Sequence, residues 1–371
     1  MFKQYKLRNY NFLLIAYVTA LTILGIMIIG SAKSSVQNKQ ILGFVMGLII
    51  MVVVSLIDYS FLLRFVWIYY VGMIGILLLV RFSGLGDDAG GATRWIEIGG
   101  IRFQPSELAK IVIILFFTYF FTKYQESINT LKTILISFAI VSVLLLLILK
   151  QPDLSTTIVS GLIFIVLLFI AGLSYKIIVS VLAVFVPILI IGLTFIVTNP
   201  DKFSGIYQVR RIMAWLFPTD PRYSDIAIQQ QNSIMAIGSG QLLGKGLNNS
   251  VAVSMKNTNF ILEPQTDFIF AVAGEELGFL GTTAIIVLLL LIVIQCIWIG
   301  RKAKDLQGKL ICCGMAALIG FQSFVNICVA TGLMPNTGIP LPFVSYGLTS
   351  LLTCFIGMGL VLNVGLQPKK Y

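Results

Sequence analysis

About ten runs of roughly twenty uninterrupted apolar residues leave this 371-residue chain few ways to fold. They fall near 11–31, 40–57, 61–81, 105–121, 132–149, 153–172, 176–198, 267–298, 309–331 and 345–366. A run of that length crosses a bilayer as a helix, the form that satisfies its own backbone hydrogen bonds where water is absent. The runs are continuously apolar rather than alternating, which argues against a membrane β-barrel. The expectation is an all-α polytopic integral membrane protein with about ten transmembrane helices. A composition of 58% hydrophobic and 11% charged residues agrees, lying far outside the range of water-soluble domains. The eighth run is longer than one crossing needs, so part of it lies outside the hydrocarbon or is strongly tilted. One long polar segment, 199–266, separates the seventh and eighth helices; otherwise 1–371 reads as a single membrane domain.

Lys3, Lys6 and Arg8 precede the first run, but its length and the spans that follow make it a membrane helix rather than a cleaved leader. Basic residues in the short loops set the orientation. With the N-terminus inside, the inner loops and ends hold Arg64, Lys123, Lys132, Lys176, Arg301, Lys302, Lys304, Lys309, Lys369 and Lys370, while the short outer segments hold Lys33, Lys39, Arg81, Arg94, Arg102 and Lys150. Both termini are therefore expected in the cytoplasm and 199–266 outside. The net charge of +11 sits largely at the inner rims, where it matches anionic lipid headgroups, so no nucleic-acid partner is expected. Cys296, Cys312, Cys313, Cys328 and Cys354 lie within apolar runs and read as packing residues. The chain contains no histidine, which excludes Ser-His and Cys-His nucleophile pairs and His-ligated metals. Acid–base chemistry must rest on carboxylates, lysines or tyrosines.

Charges at the ends of spans are costly and mark candidate sites. Glu107 and Lys110, in Gln104-Pro-Ser-Glu-Leu-Ala-Lys110, share one face of the fourth helix as an ion pair, serving either as a structural clamp or as a cavity lining that offers Lys110 to an anion. Asp153, in Gln151-Pro-Asp153, is placed to cap the sixth helix. Asp267 stands in Glu263-Pro-Gln-Thr-Asp267-Phe, either as a cap for the eighth helix or as a general base, with Glu275 and Glu276 two turns on. Three carboxylates this close to low dielectric favour a raised pKa or a bound cation, with Glu275 and Glu276 as candidate metal ligands. Within 199–266, residues 206–217 read as an interfacial helix carrying Arg210 and Arg211, and Ser224 as the cap of a second helix to about 237. The Gly-rich piece from Gly238 to Gly246, which includes Lys245, lacks phosphate-loop spacing and reads as a turn. Asn248-Asn-Ser250 matches a glycosylation sequon, meaningful only in a eukaryotic secretory pathway. The proline-rich stretch from Asn326 to Gly347 suits a preorganised re-entrant loop, with Thr337, Ser345 and Tyr346 facing a cavity.

Taken in order, these motifs resemble the SEDS proteins of bacterial shape, elongation, division and sporulation. The resemblance rests on Gln104–Lys110, Gln151-Pro-Asp153, Tyr207-Gln-Val-Arg-Arg-Ile, Gly238-Ser-Gly240 with Gly244-Lys-Gly246, Thr266-Asp-Phe-Ile-Phe with Glu275-Glu-Leu-Gly, and Met334-Pro-Asn-Thr-Gly-Ile-Pro-Leu-Pro-Phe-Val-Ser-Tyr-Gly347. It departs from the family at Ser155-Thr-Thr and between Gly246 and Glu263. It implies a peptidoglycan glycosyltransferase of the bacterial cell membrane that polymerises lipid II for wall elongation and shape, partnered by a class B penicillin-binding protein (transpeptidase). It also implies Asp267 as the catalytic residue and Glu107 and Lys110 as site residues. A departing pyrophosphate requires stabilisation by a divalent cation (Mg or Mn), or by Arg210, Arg211 and Lys110. A lipid II flippase is the competing expectation, and a scaffold that activates the partner is a third.

Overall fold

The computed structural model describes residues 9–82, 86–89, 92–98, 101–203, 205–247 and 263–367. The sequon, Lys3, Lys6, Arg8, Lys369, Lys370 and most of the stretch from Gly246 to Glu263 lie outside them.

Each of the ten apolar runs is a helix. In chain order they are α1 Phe12–Ala32, α2 Ser34–Leu56, α3 Tyr59–Leu62 continuing through one 3-10 turn into α4 Val66–Phe82, α5 Pro105–Lys123, α6 Leu131–Lys150, α7 Leu154–Ile170 and α8 Tyr175–Thr198. After a polar segment with α9 Pro200–Phe203, α10 Tyr207–Leu216 and α11 Ser224–Ser239 come α12 Ile269–Arg301, α13 Leu306–Ala330 and α14 Leu348–Gly365. Among the described residues nine spans are long and apolar enough to cross a membrane, and α7, with 17 residues, is a shorter tenth. Polar residues punctuate them as the sequence suggests. Pro105 opens α5 where its missing N–H costs nothing, and Asp153 Oδ1 accepts the Thr156 N–H at 3.1 Å to cap α7.

α5, α13 and α14 are buried along most of their length and form the centre of the bundle, α14 against α2, and α13 against α5, α7 and α12. No described side chain of α8 is buried. The alternation of spans brings residues 101–104, the starts of α5 and α7, α10, α11 and the 331–347 loop to one end. An element that the hydropathy pattern does not foresee lies there: an antiparallel sheet of β1 Gly86–Ala89, β2 Ala92–Ile98 and β3 Ile101–Phe103, with Ile96 opposite Phe103 and Glu97 opposite Arg102. Its strands are too short, and too rich in charge, to register as a period-2 pattern.

The excess length of α12 is resolved by a break. Gly278 adopts φ 65° and ψ −161°, which separates residues 269–277 from the remainder of the span. A break at membrane depth exposes backbone groups that lipid cannot satisfy. The Gly-rich turn after α11 supplies them. Lys245 N and Gly246 N donate to the carbonyls of Glu275 and Glu276, both at 2.9 Å, while Phe279 N and Leu280 N donate to Gln241 O and Leu242 O at 2.8 and 3.2 Å. A Cβ on Gly278 would stand 2.3 Å from Gly244 N, so two glycines are required where the chains cross.

Candidate active site

Asp267 lies one residue before the N-cap of α12. That cap is Phe268, and the Asp267 carboxylate caps nothing, so the helix-capping expectation does not hold. Ser224 likewise is not a cap: Tyr223 holds that position, and the Ser224 hydroxyl faces Pro221 O at 3.3 Å. Asp267 is half-buried. Loss of hydration pushes its pKa up from 3.8 to about 6; Arg211 and then Arg94 oppose that rise, and the negative charges of Asp153 and Glu263 add to it. A carboxyl poised near 6 is charged at neutral pH, yet basic enough to take a proton from a hydroxyl in a transition state.

Around it runs an extended strap, residues 335–342, with no regular structure of its own. Its carbonyls, and that of Met334 just before it, are satisfied by side chains from four helices. Gln230 of α11 donates to Met334 O at 2.6 Å, Arg211 of α10 to Asn336 O at 3.1 Å, and Ser155 of α7 to Thr337 O at 2.6 Å. From α13, Asn326 donates to Ile339 O at 2.7 Å and Gln322 to Pro340 O at 2.9 Å. Asn326 also donates to Asp267 O at 2.8 Å, so one amide fixes the carboxylate's backbone against the strap. At Gly338, φ is 73°, and a Cβ there would lie 3.2 Å from Asp267 Oδ2 and 3.6 Å from Arg211 Nη1. The carboxylate and the guanidinium therefore meet at a glycine because a side chain would intrude between them.

Arg211 also stacks on the Tyr207 ring, 4.5 Å from its centroid, and donates to the Tyr207 hydroxyl. Arg210 instead points to the surface beside Asp225 at 3.5 Å, with both side chains exposed. The expectation that Lys110 is offered to an anion does not survive. Lys110 is fully buried, 2.8 Å from Glu107 and 2.6 Å from Gln322 Oε1, and since Gln322 holds Pro340 O, this group braces the strap from below. Ser345 is not cavity-facing either: its hydroxyl donates to Thr266 O and accepts from Leu341 N, both at 2.7 Å, which locks the strap's end to the approach to Asp267. Tyr346 is half-buried, with its backbone N–H on Gln265 O at 2.8 Å and its phenol pKa raised by loss of hydration, Arg102 lowering it and Glu263 raising it. The Thr337 hydroxyl is buried without a partner among the described residues.

Glu275 and Glu276 are not assembled as metal ligands. Glu275 Oε1 pairs with Lys245 Nζ at 2.8 Å, Glu276 accepts from the Ser31 hydroxyl, and among the described residues no three carboxylate or thiol groups gather at metal-ligand spacing. Among the described residues these two carboxylates do not form a preformed cation site. Arg94, Asn326, Gln322, Ser155 and Asn336 escaped the motif reading as site residues. Arg94 was visible only as a loop charge, yet it fixes the α6–α7 turn by donating to Gln151 O at 2.9 Å and to Pro152 O, and its field reaches Asp267. The one signal for Asn326 and Gln322 is their polarity four residues apart within a buried helix.

The fold and this convergence define a polytopic membrane protein with a carboxylate–arginine site at one end of its helical bundle. The chain belongs to the cell cycle protein family of FtsW, RodA and SpoVE, whose family model matches residues 7–370. It is 35% identical over 378 residues to the probable peptidoglycan glycosyltransferase FtsW of Geobacter sulfurreducens, covering 98% of this chain and 97% of that one. It is 34% identical over 357 residues to the peptidoglycan glycosyltransferase MrdB of Escherichia coli K12, covering 94% and 92%. Among solved structures it is similar to a chain from a peptidoglycan synthase complex that coordinates polymerization and crosslinking, with TM-score 0.78, 26% identity and 96% and 97% coverage. It is also similar to the rod shape determining protein RodA of Thermus thermophilus, with TM-score 0.68, 25% identity and 96% coverage of each chain. The motifs read most like RodA, with FtsW and SpoVE as close alternatives, and the matches include both RodA and FtsW.

Proposed function

We propose that this chain is a peptidoglycan glycosyltransferase that polymerises lipid II at the outer face of the bacterial cytoplasmic membrane, serving wall elongation and shape. The observation that carries the proposal is Asp267: an uncapped, half-buried carboxyl held near a pKa of about 6, its backbone fixed by Asn326, beside the Arg211 guanidinium. The named activity of the FtsW and MrdB relatives supports it. Asp267 accepts the proton of the acceptor sugar hydroxyl as that oxygen attacks the anomeric carbon of the donor. The bond from that carbon to the pyrophosphate oxygen breaks, and its electron pair leaves with the polyprenyl pyrophosphate. Attack opposite the leaving group inverts the anomeric centre without a covalent intermediate. Arg211 is the cation placed to take up the charge of the leaving group, since Lys110 is sealed and Arg210 faces outward.

In this reading the end bearing Asp267 is outside and both termini are cytoplasmic, as the loop charges require. A class B penicillin-binding protein is the partner that crosslinks the product, and similarity to a chain of a synthase complex supports that pairing. The site serves a substrate whose tail stays in the bilayer while its sugars react at the surface. A flippase also uses intramembrane ion pairs, a broken helix and titrating carboxylates, so the named activity of the FtsW and MrdB relatives is what favours glycosyl transfer over transport. The test is polymerisation of lipid II by detergent-solubilised protein, alone and with a transpeptidase-inactive partner. Polymer from wild type and none from Asp267→Asn is expected. Full activity in Asp267→Asn would remove the base assignment, and no polymer from the wild-type protein would favour transport.

A further inference from the structure

The strap beside Asp267 has spent most of its acceptors and kept four of its donors. The carbonyls of Asn336, Thr337, Ile339 and Pro340 are each bonded by a side chain. Pro335, Pro340 and Pro342 have no N–H, and Leu341 N is bonded to Ser345 Oγ at 2.7 Å. The four consecutive N–H groups of Asn336, Thr337, Gly338 and Ile339 donate to no acceptor among the described residues. Backbone donors in so enclosed a place are seldom left unmade. Asn336 and Ile339 are buried, and the Thr337 hydroxyl beside them is also buried and without a partner. Arg211 is held against the same stretch through Asn336 O, and Gly338 leaves its front open where any side chain would fill it.

Backbone N–H groups left without acceptors beside a fixed guanidinium offer donors to an anion with several acceptor oxygens. We propose that the backbone N–H groups of Asn336–Ile339, the Thr337 hydroxyl and Arg211 form the binding site for the pyrophosphate of the polyprenyl leaving group. The proposal rests on the glycosyl-transfer reading and gives it a leaving-group subsite made mainly of main chain. A sugar alone does not suit these donors, because its hydroxyls need acceptors as well. The nearby amide oxygens of Asn326 and Asn336, which lack donors, suit a sugar hydroxyl and cannot bond a phosphate, so they place the sugar beside the pyrophosphate. As the glycosidic bond breaks, negative charge grows on the pyrophosphate oxygen, and fixed donors stabilise it without reorganising.

The test is binding to full-length Asp267→Asn protein in detergent, where turnover does not interfere, with farnesyl pyrophosphate, farnesyl monophosphate, farnesol and inorganic pyrophosphate as probes. Farnesyl pyrophosphate is expected to bind at least about tenfold more tightly than the monophosphate, with farnesol weakest, since the extra charged hydrogen bonds are made only by the second phosphate. Arg211→Gln and Thr337→Pro, which removes one strap N–H together with the hydroxyl, are each expected to lose about tenfold or more; Thr337→Val, which removes only the hydroxyl, loses less, and the difference between the two Thr337 variants reports the N–H. Farnesol binding as tightly as the pyrophosphate would overturn the site, and that comparison needs no variant to fold. Unchanged affinity in both Arg211→Gln and Thr337→Pro, with normal thermal unfolding, would do the same. Inorganic pyrophosphate binding as tightly as farnesyl pyrophosphate would overturn the assignment to a lipid-linked ligand. Polymer made by Asp267→Asn would instead sink the catalytic reading and leave this binding result standing.

Discussion

Replacing Asp267 by asparagine should abolish polymerisation and, at neutral pH, make the protein harder to unfold. Its carboxyl is pushed from 3.8 to about 6 by lost hydration that Arg211 and Arg94 only partly offset. The gap of about two units is worth about 3 kcal/mol. Because the folded pKa lies above the unfolded one, the folded state holds the proton more tightly. That contribution to stability is full below about 3.8 and is lost as pH rises through about 6. At pH 7.5 the folded protein therefore carries the whole cost of a charge poorly served by water. Asparagine has the same shape and no charge, so it removes that cost. The ceiling is about 3 kcal/mol, and water reaching a half-buried group brings the expected gain to about 1–2 kcal/mol. The assay is thermal unfolding of purified wild type and Asp267→Asn in one detergent at pH 7.5 and at about pH 4. The variant should melt a few degrees higher at pH 7.5, and the two should converge in acid. A variant that melts lower at pH 7.5, or a difference that does not shrink in acid, would refute the claim that the fold strains this carboxylate for use.

The rate of lipid II polymerisation should rise about tenfold per pH unit below about 6 and level off above it, because the base works only when deprotonated; a flat profile from pH 5 to 8 would count against Asp267 as the titrating group. Lys110→Met should destabilise the protein by about 3–5 kcal/mol by leaving Glu107 charged and buried, and adding Glu107→Leu should restore much of the loss, both read as detergent unfolding temperatures. Gly278→Ala forces a Cβ to within 2.3 Å of Gly244 N at a φ of 65°, so unfolding is expected to become easier by about 1–3 kcal/mol, whereas Gly161→Ala in α7 should be close to neutral because an added Cβ there meets nothing within 4 Å. Removing divalent cations with a chelator should leave the unfolding temperature unchanged, since Glu275 pairs with Lys245 and Glu276 accepts from Ser31; a drop of several degrees would reopen them as ligands.

Much of this molecule is legible in its hydropathy. The positions of ten spans follow from where apolar residues run on, because a bilayer imposes one length and one backbone solution. The excess length of the eighth run was also readable, but not its cause. Gly278 is an ordinary glycine in sequence, and only the crossing of the 241–246 turn shows why the helix must break there. The site was legible in part. Asp267, Glu107, Lys110 and Arg211 stand out as charges near span ends, whereas Ser345 and Thr337 look alike in sequence and differ in the structure. One hydroxyl is consumed in locking the strap and the other is left unpaired.

By itself, then, the amino-acid sequence determined the solvent this chain folds in, the number and place of its spans, and which few side chains carry charge into them. Those are local properties, set by the transfer of each residue from water to hydrocarbon. What the tertiary structure decided is which of those charges remain available. Lys110 and Glu107 satisfy each other three residues apart on one helix, Arg210 turns outward, and Asp267 is left uncapped against Arg211. Most of the strap's carbonyls are bonded, four of them by side chains from three helices, while the N–H groups of Asn336–Ile339 have no acceptor among the described residues. Each partner comes from a distant part of the chain, so the balance of donors and acceptors at the site exists only once the helices have packed.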